Sequence, residues 1–202
     1  MVGEKCSHGG RHHMKNYKIE AFENLVDAFG SLPSIGKKTA IRLAYHAVME
    51  DGFAAMKLAH ALETSVNAIQ KCTKCHNMSE DELCTICSDP YRDNTKLCIV
   101  QSAKDILIIE ESGQFDGVYY VVSEVRDLDD AHLFYAVGGV HEIIFAFPPS
   151  IATDTMILYI EDKLKGLEIH FTKIAQGVPT GVELENIDVM SLSRALEARV
   201  KI

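Results

Sequence analysis

CTKCHNMSEDELCTIC, Cys72 to Cys87, divides the chain into two stretches of different rhythm. Two C-x2-C pairs, Cys72/Cys75 and Cys84/Cys87, stand eight residues apart on polar sequence. One such knuckle lets two thiolates point at one ion, and two complete a tetrahedron around zinc. The stretch is too short for a hydrophobic core of its own, so metal binding would supply its stability. A redox C-x-x-C would instead open a helix in a thioredoxin-like unit, which two pairs on a loop do not match. The quartet predicts one structural zinc per chain. His76 reads as a polar neighbour, because four thiolates close the site, and Cys98, inside an apolar run, reads as core.

Before the quartet, apolar residues recur with a helical period. Ile19, Phe22, Leu25, Val26 and Phe29 mark one face of a first helix ended by Gly30. Pro33 and Gly36 then make a turn, KKTAIRLAYHAVME (37–50) reads as a second helix, and FAAMKLAHALETSVNAIQ (53–70) as a third. The turn is the chemically informative part. A Walker A loop needs G-x-x-x-x-G-K-[ST] after a strand. Here Ser31 holds the first glycine position, Lys38 follows Lys37, and a helix precedes, so a nucleotide loop is excluded. What remains is helix, short hairpin, helix, which resembles the helix-hairpin-helix motif. Such a turn aims backbone N–H groups and a helix dipole at a phosphate. Lys37, Lys38 and Arg42 would neutralise neighbouring phosphates without reading bases. Ser34 stands where that motif usually has glycine. The bland alternative is a helix start with solvated lysines.

After the quartet the rhythm becomes strand and helix in alternation. LCIV (97–100), GVYYVV (117–122), EIIFAF (142–147) and LEIHFTKIA (167–175) read as strands. SAKDILIIEES (102–112), LDDAHLFYAV (128–137) and IATDTMILYIEDKLK (151–165) read as the helices between them, and SLSRALEARV (191–200) as a terminal helix. The pattern predicts a mainly parallel sheet covered on both faces. The expected whole is α+β in several parts: residues 1–13 a disordered tail or cloning remnant, 14–70 a helix-hairpin-helix region, 71–95 a four-cysteine zinc finger, 96–176 an α/β domain, and 177–202 a C-terminal loop and helix.

Charge agrees with a local nucleic-acid surface despite a net charge of −9. Lys and Arg number ten against eleven acids in 14–96 but eight against seventeen in 97–202, so the excess acid lies in the second half. No apolar run approaches the roughly 18 residues of a membrane span, and no secretory h-region opens the chain. These features point to a cytoplasmic protein whose six cysteines serve as ligands or core rather than disulfides.

The order of motifs resembles the bacterial recombination mediator RecR family. The likeness runs from about Tyr17 to the C-terminus and rests on LPSIGKKTAIRLA (32–44), the cysteine quartet with CSDPYRD (87–93), ESGQFDGVYYV (111–121) and IAQGVPTGVELE (174–185). The resemblance implies a Toprim-like α/β domain and a non-enzymatic protein. It also implies a dimer or tetrameric ring around DNA that works with RecO and RecF to load RecA onto gapped or single-stranded DNA. Lys38 and Arg42 fall on the family's DNA-contacting positions, and the four cysteines on its zinc ligands. Gly177, Pro179, Gly181, Glu183 and Glu185 form a candidate partner surface, with a solvated turn as the equal alternative. Toprim domains carry a glutamate where this chain has Gln101. Relatives read Asn-Pro-Thr where it has Pro148-Pro149-Ser150, with a glutamate in place of Ala152, and the loop SEVRDLDDAH (123–132) is short. A metal-dependent nuclease or primase-like enzyme is the competing reading, a zinc-ribbon protein adapter the third. Missing carboxylates at the strand ends weigh against the enzyme, the basic hairpin against the adapter.

Overall fold

Acids in its first turn and a 3.6-residue apolar period make Glu20–Gly30 a helix, α1. A hairpin closed by Leu32 N–H to Phe29 O and Ile35 N–H to Leu32 O leads into α2, Lys37–Tyr45. Ala40 and Ala44, four apart on one face and fully buried, let the helices approach closely around Val26, Phe22, Leu25, Phe29 and Ile35. The second helix does not run α-helically to Glu50 as expected. His46–Glu50 is a wider π turn, and Asp51 then accepts from Ala54 N–H to start α3, Gly52–Ala68. No residue of α3 is buried.

The computed structural model describes residues 18–175 and 181–197. The expectations for residues 1–13 and for Gly177 and Pro179 lie outside them. The chain divides into two units, Met1–Asn67 and Ala68–Ile202.

The second unit opens with two-residue strands β1 (Gln70–Lys71) and β2 (Met78–Ser79), an antiparallel ribbon that hydrophobic patterning does not reveal in so polar a stretch. A one-turn helix, α4 (Thr85–Ser88), carries the last cysteine. The four-stranded sheet has the order β4-β3-β5-β6, every pair parallel. Its strands are β3 (Asp93–Val100), β4 (Gly117–Val121), β5 (Glu142–Ala146) and β6 (His170–Lys173). The expected strands and helices all occur, with shifted ends. β3 starts earlier than its apolar half because the polar Asp93 already pairs with Gly117, and a register shift over Asn94 and Thr95 leads into the regular ladder from Lys96. Connecting helices are α5 (Ala103–Ser112), α6 (Asp130–Ala136) and α7 (Ile151–Lys163), and α8 (Val189–Glu197) follows. Ser102 and Asp105 form a reciprocal capping box on α5. This is the Toprim-like arrangement expected.

Packing splits between two clusters. Leu97, Ile99, Tyr120, Leu133, Ile143, Phe145, Met156 and Ile160 fill one. The other joins Cys72, Cys75 and Cys84 to Cys98, Val100, Ile106 and Tyr119, so the cysteine module shares the core of the sheet. A Cβ on Gly117 would lie 2.6 Å from Lys96 O and 2.4 Å from the Phe115 ring, which requires glycine there.

Candidate metal centre and nucleic-acid interface

Cys72, Cys75, Cys84 and Cys87 converge with all four Sγ atoms within 4.8 Å of one another. A tetrahedral ion with about 2.3 Å metal–sulfur bonds needs sulfurs about 3.8 Å apart, so the donor set fits zinc. Among the described residues this is the one group of three or more His, Cys, Asp or Glu side chains whose ligand atoms meet. The backbone holds each knuckle open toward the centre. Cys72 N–H donates to Asn77 O (2.8 Å) and His76 N–H to Cys72 O (2.9 Å), while Cys84 N–H and Asn77 N–H point at the sulfurs of Cys72 (3.3 Å) and Cys75 (3.5 Å). Closing the first turn puts His76 at φ +61°, in the left-handed region. Donation from Cys75 draws the Cys87 thiol down to about 6, which favours the thiolate a cation takes, while donating and burial push Cys75 far up. Cys98 stands apart from the quartet in β3, its thiol pushed up to about 12 by burial alone.

A histidine that sequence gave no reason to single out ties this module to the sheet. His132 of α6 donates from Nε2 to Thr73 O (2.7 Å), which leaves Nδ1 to accept from Tyr120 O–H (3.1 Å). Its ring stacks on His76 with centroids 4.3 Å apart, and Val121 N–H of the edge strand β4 donates to Cys75 O. His76 is thus a polar neighbour of the cysteines.

In the first unit, Gly36 is the N-cap of α2 in extended geometry, and Ala40 N–H returns to Gly36 O. Ser34, in the glycine position of the motif, has φ +64°. The turn therefore keeps the left-handed backbone that glycine normally provides. Lys37 and Lys38 open α2 and Arg42 stands in its last turn; all three are exposed, and none enters an ion pair among the described residues.

At the carboxyl ends of the strands, Gln101 exchanges hydrogen bonds with Ser123, its Nε2 reaching Ser123 O at 3.5 Å and Ser123 Oγ donating to Gln101 O at 3.1 Å. A cavity of about 600 Å³ beyond β5 and β6 is lined by Pro148, Pro149, Asp154, Lys173 and Arg194. The two bases were not anticipated; they come from distant segments, and only the fold brings them together. Gly181 lies at φ +83°, and Glu183 and Glu185 are exposed near a 3-10 turn, Leu184–Asn186. No helix among the described residues is long and apolar enough to cross a membrane.

Three family models match: the helix-hairpin-helix of RecR over residues 22–66, the four-cysteine zinc finger domain of RecR over 69–89, and the C-terminal region of RecR over 177–200. Among curated proteins, the Recombination protein RecR of Nitratiruptor sp. is 54% identical over 187 residues, 92% of this chain and 98% of its own. That of Helicobacter pylori is 46% identical over 192 residues, covering 93% and 100%, and that of Campylobacter jejuni 48% over 186, covering 91% and 98%.

Proposed function

From the premise that the chain belongs to the RecR family of recombination proteins, we propose that it is a non-enzymatic, DNA-binding scaffold of recombinational repair. It acts in the cytoplasm as a dimer or tetrameric ring, with RecO- and RecF-type proteins, to promote RecA loading on gapped or single-stranded DNA. The observation that carries the reading is the hairpin: a turn whose geometry suits a phosphate, followed by a helix with three exposed cations, Lys37 and Lys38 at its start and Arg42 in its last turn, without ion-pair partners among the described residues. Contacts of this kind give affinity for backbone rather than sequence.

Zinc, one per chain on Cys72, Cys75, Cys84 and Cys87, holds the knuckles against the sheet and takes no part in chemistry. Self-association is supported by α3, whose Phe53, Met56, Leu58, Leu62 and Val66 are each at least half exposed within the protomer. Glu183 and Glu185, with Gly177, Pro179 and Gly181, form the proposed partner contact. Gln101, Pro148, Pro149 and Ala152 occupy the places where a phosphoryl-transfer site would need carboxylates, and Asp154 alone makes a poor magnesium site.

The test is binding to several unrelated sequences by the wild type and by the Lys38→Glu/Arg42→Glu pair. The pair should lose affinity for all of them alike. Unchanged binding would move the DNA surface elsewhere, and magnesium-dependent cleavage or primer synthesis abolished by Asp154→Ala would favour the enzyme.

A further inference from the structure

The cationic face of α2 does not end with its charges. Tyr45 follows Lys38 and Arg42 at seven and three residues, so at 3.6 residues per turn the three side chains share an arc of about 60°. Along the helix axis Arg42 lies about 6 Å beyond Lys38, and Tyr45 about 4.5 Å further. Tyr45 is 51% exposed, and Ile41 beside it 43%. Lys38, Arg42, Tyr45 and His46 line one groove of about 580 Å³. The groove's acid, Glu50, is engaged by His46, Nδ1 to Oε2 at 2.5 Å, on the widened turn that follows the tyrosine.

A solvent-facing ring at the end of a row of exposed cations has the chemistry of a single-strand platform. The cations hold phosphates, and the ring offers a π-face to a base that has lost its partner. Duplex DNA cannot use such a ring without unstacking, because its bases are already paired and stacked.

We propose that Tyr45 is a stacking platform for an unpaired base, which makes the hairpin surface favour single-stranded over duplex DNA. The proposal rests on the reading of the hairpin as the DNA surface. Lys38 and Arg42 give the affinity common to both forms, and Tyr45 gives the difference between them.

The experiment compares a single strand and the duplex of the same sequence, with full-length wild type, Tyr45→Ala, Tyr45→Phe, Tyr45→Leu and the Lys38→Glu/Arg42→Glu pair. Tyr45→Ala should weaken single-strand binding about tenfold and duplex binding less than about twofold. Tyr45→Phe should restore the preference and Tyr45→Leu should not, since a ring and not mere apolar area is required. A 2-aminopurine base in the strand should be quenched by the wild type and by Tyr45→Phe only. Equal losses on both DNAs, rescue by leucine, or an altered sedimentation coefficient for Tyr45→Ala would overturn the proposal, the last by assigning the ring to a protein interface. If the charge-reversed pair binds both DNAs as the wild type does, the reading of the hairpin itself fails. If that pair loses both while Tyr45→Ala leaves their ratio unchanged, the stacking role alone fails.

Discussion

Ser34 and the Arg92–Glu110–Tyr119 cluster show how single positions carry this fold. Ser34 occupies a left-handed conformation that costs a non-glycine residue on the order of 1 kcal/mol. Ser34→Gly should therefore raise stability by up to about 1 kcal/mol, less the entropy glycine adds to the unfolded chain; a urea midpoint that falls would show the hydroxyl to be needed. Arg92, within the CSDPYRD stretch, clasps Glu110 with both terminal nitrogens and also donates to Phe115 O (3.3 Å) and Gly117 O (3.4 Å), while Tyr119 O–H donates to Glu110 at 2.6 Å. Hydrogen bonds from Arg92 hold the Glu110 carboxyl below its ordinary value. A depressed folded pKa means stabilisation present above the unfolded value and lost as pH falls through the folded one. Glu110→Gln should cost about 2 kcal/mol at neutral pH and progressively less in acid. A cost that stays constant with pH would mean that the amide is lost to packing rather than to charge.

At the scale of elements, the cysteine module decides how the second unit holds together. Cys72→Ser or Cys87→Ser should lose the metal and lower the thermal midpoint, because the knuckle contributes buried side chains to the cluster around Cys98 and Tyr119. Full zinc content in both variants, measured on reduced protein kept free of chelator, would exclude this ligand set. The quartet, the hairpin cations and the order of strands and helices were legible in the sequence, because thiol spacing and apolar period are local signals. The β1–β2 ribbon was not, since its strands are two residues long and polar. His132 carried no local signal either; its partners Thr73 and Tyr120 lie 59 and 12 residues away in sequence. The π turn after Tyr45 likewise departs from a helical period that continues unbroken through the letters.

For the whole molecule, α3 and the hairpin make linked demands. No residue of α3 is buried, and Leu62 is 58% and Val66 78% exposed, an apolar surface that the proposed self-association would cover. Leu62→Glu/Val66→Glu should leave helicity intact and shift sedimentation toward the smaller species; an unchanged distribution would place self-association elsewhere. Such assembly would also bear on how an acidic chain could hold DNA, because each added subunit would bring another set of hairpin cations while the surplus acid stays in the second half. Those cations are the surface proposed to meet DNA. The salt dependence of binding to gapped DNA, wild type against Lys38→Glu/Arg42→Glu, tests this. The slope of log K against log salt should become shallower by about two for each engaged subunit, with affinity falling for every sequence. An identical slope and affinity in the two proteins would contradict it.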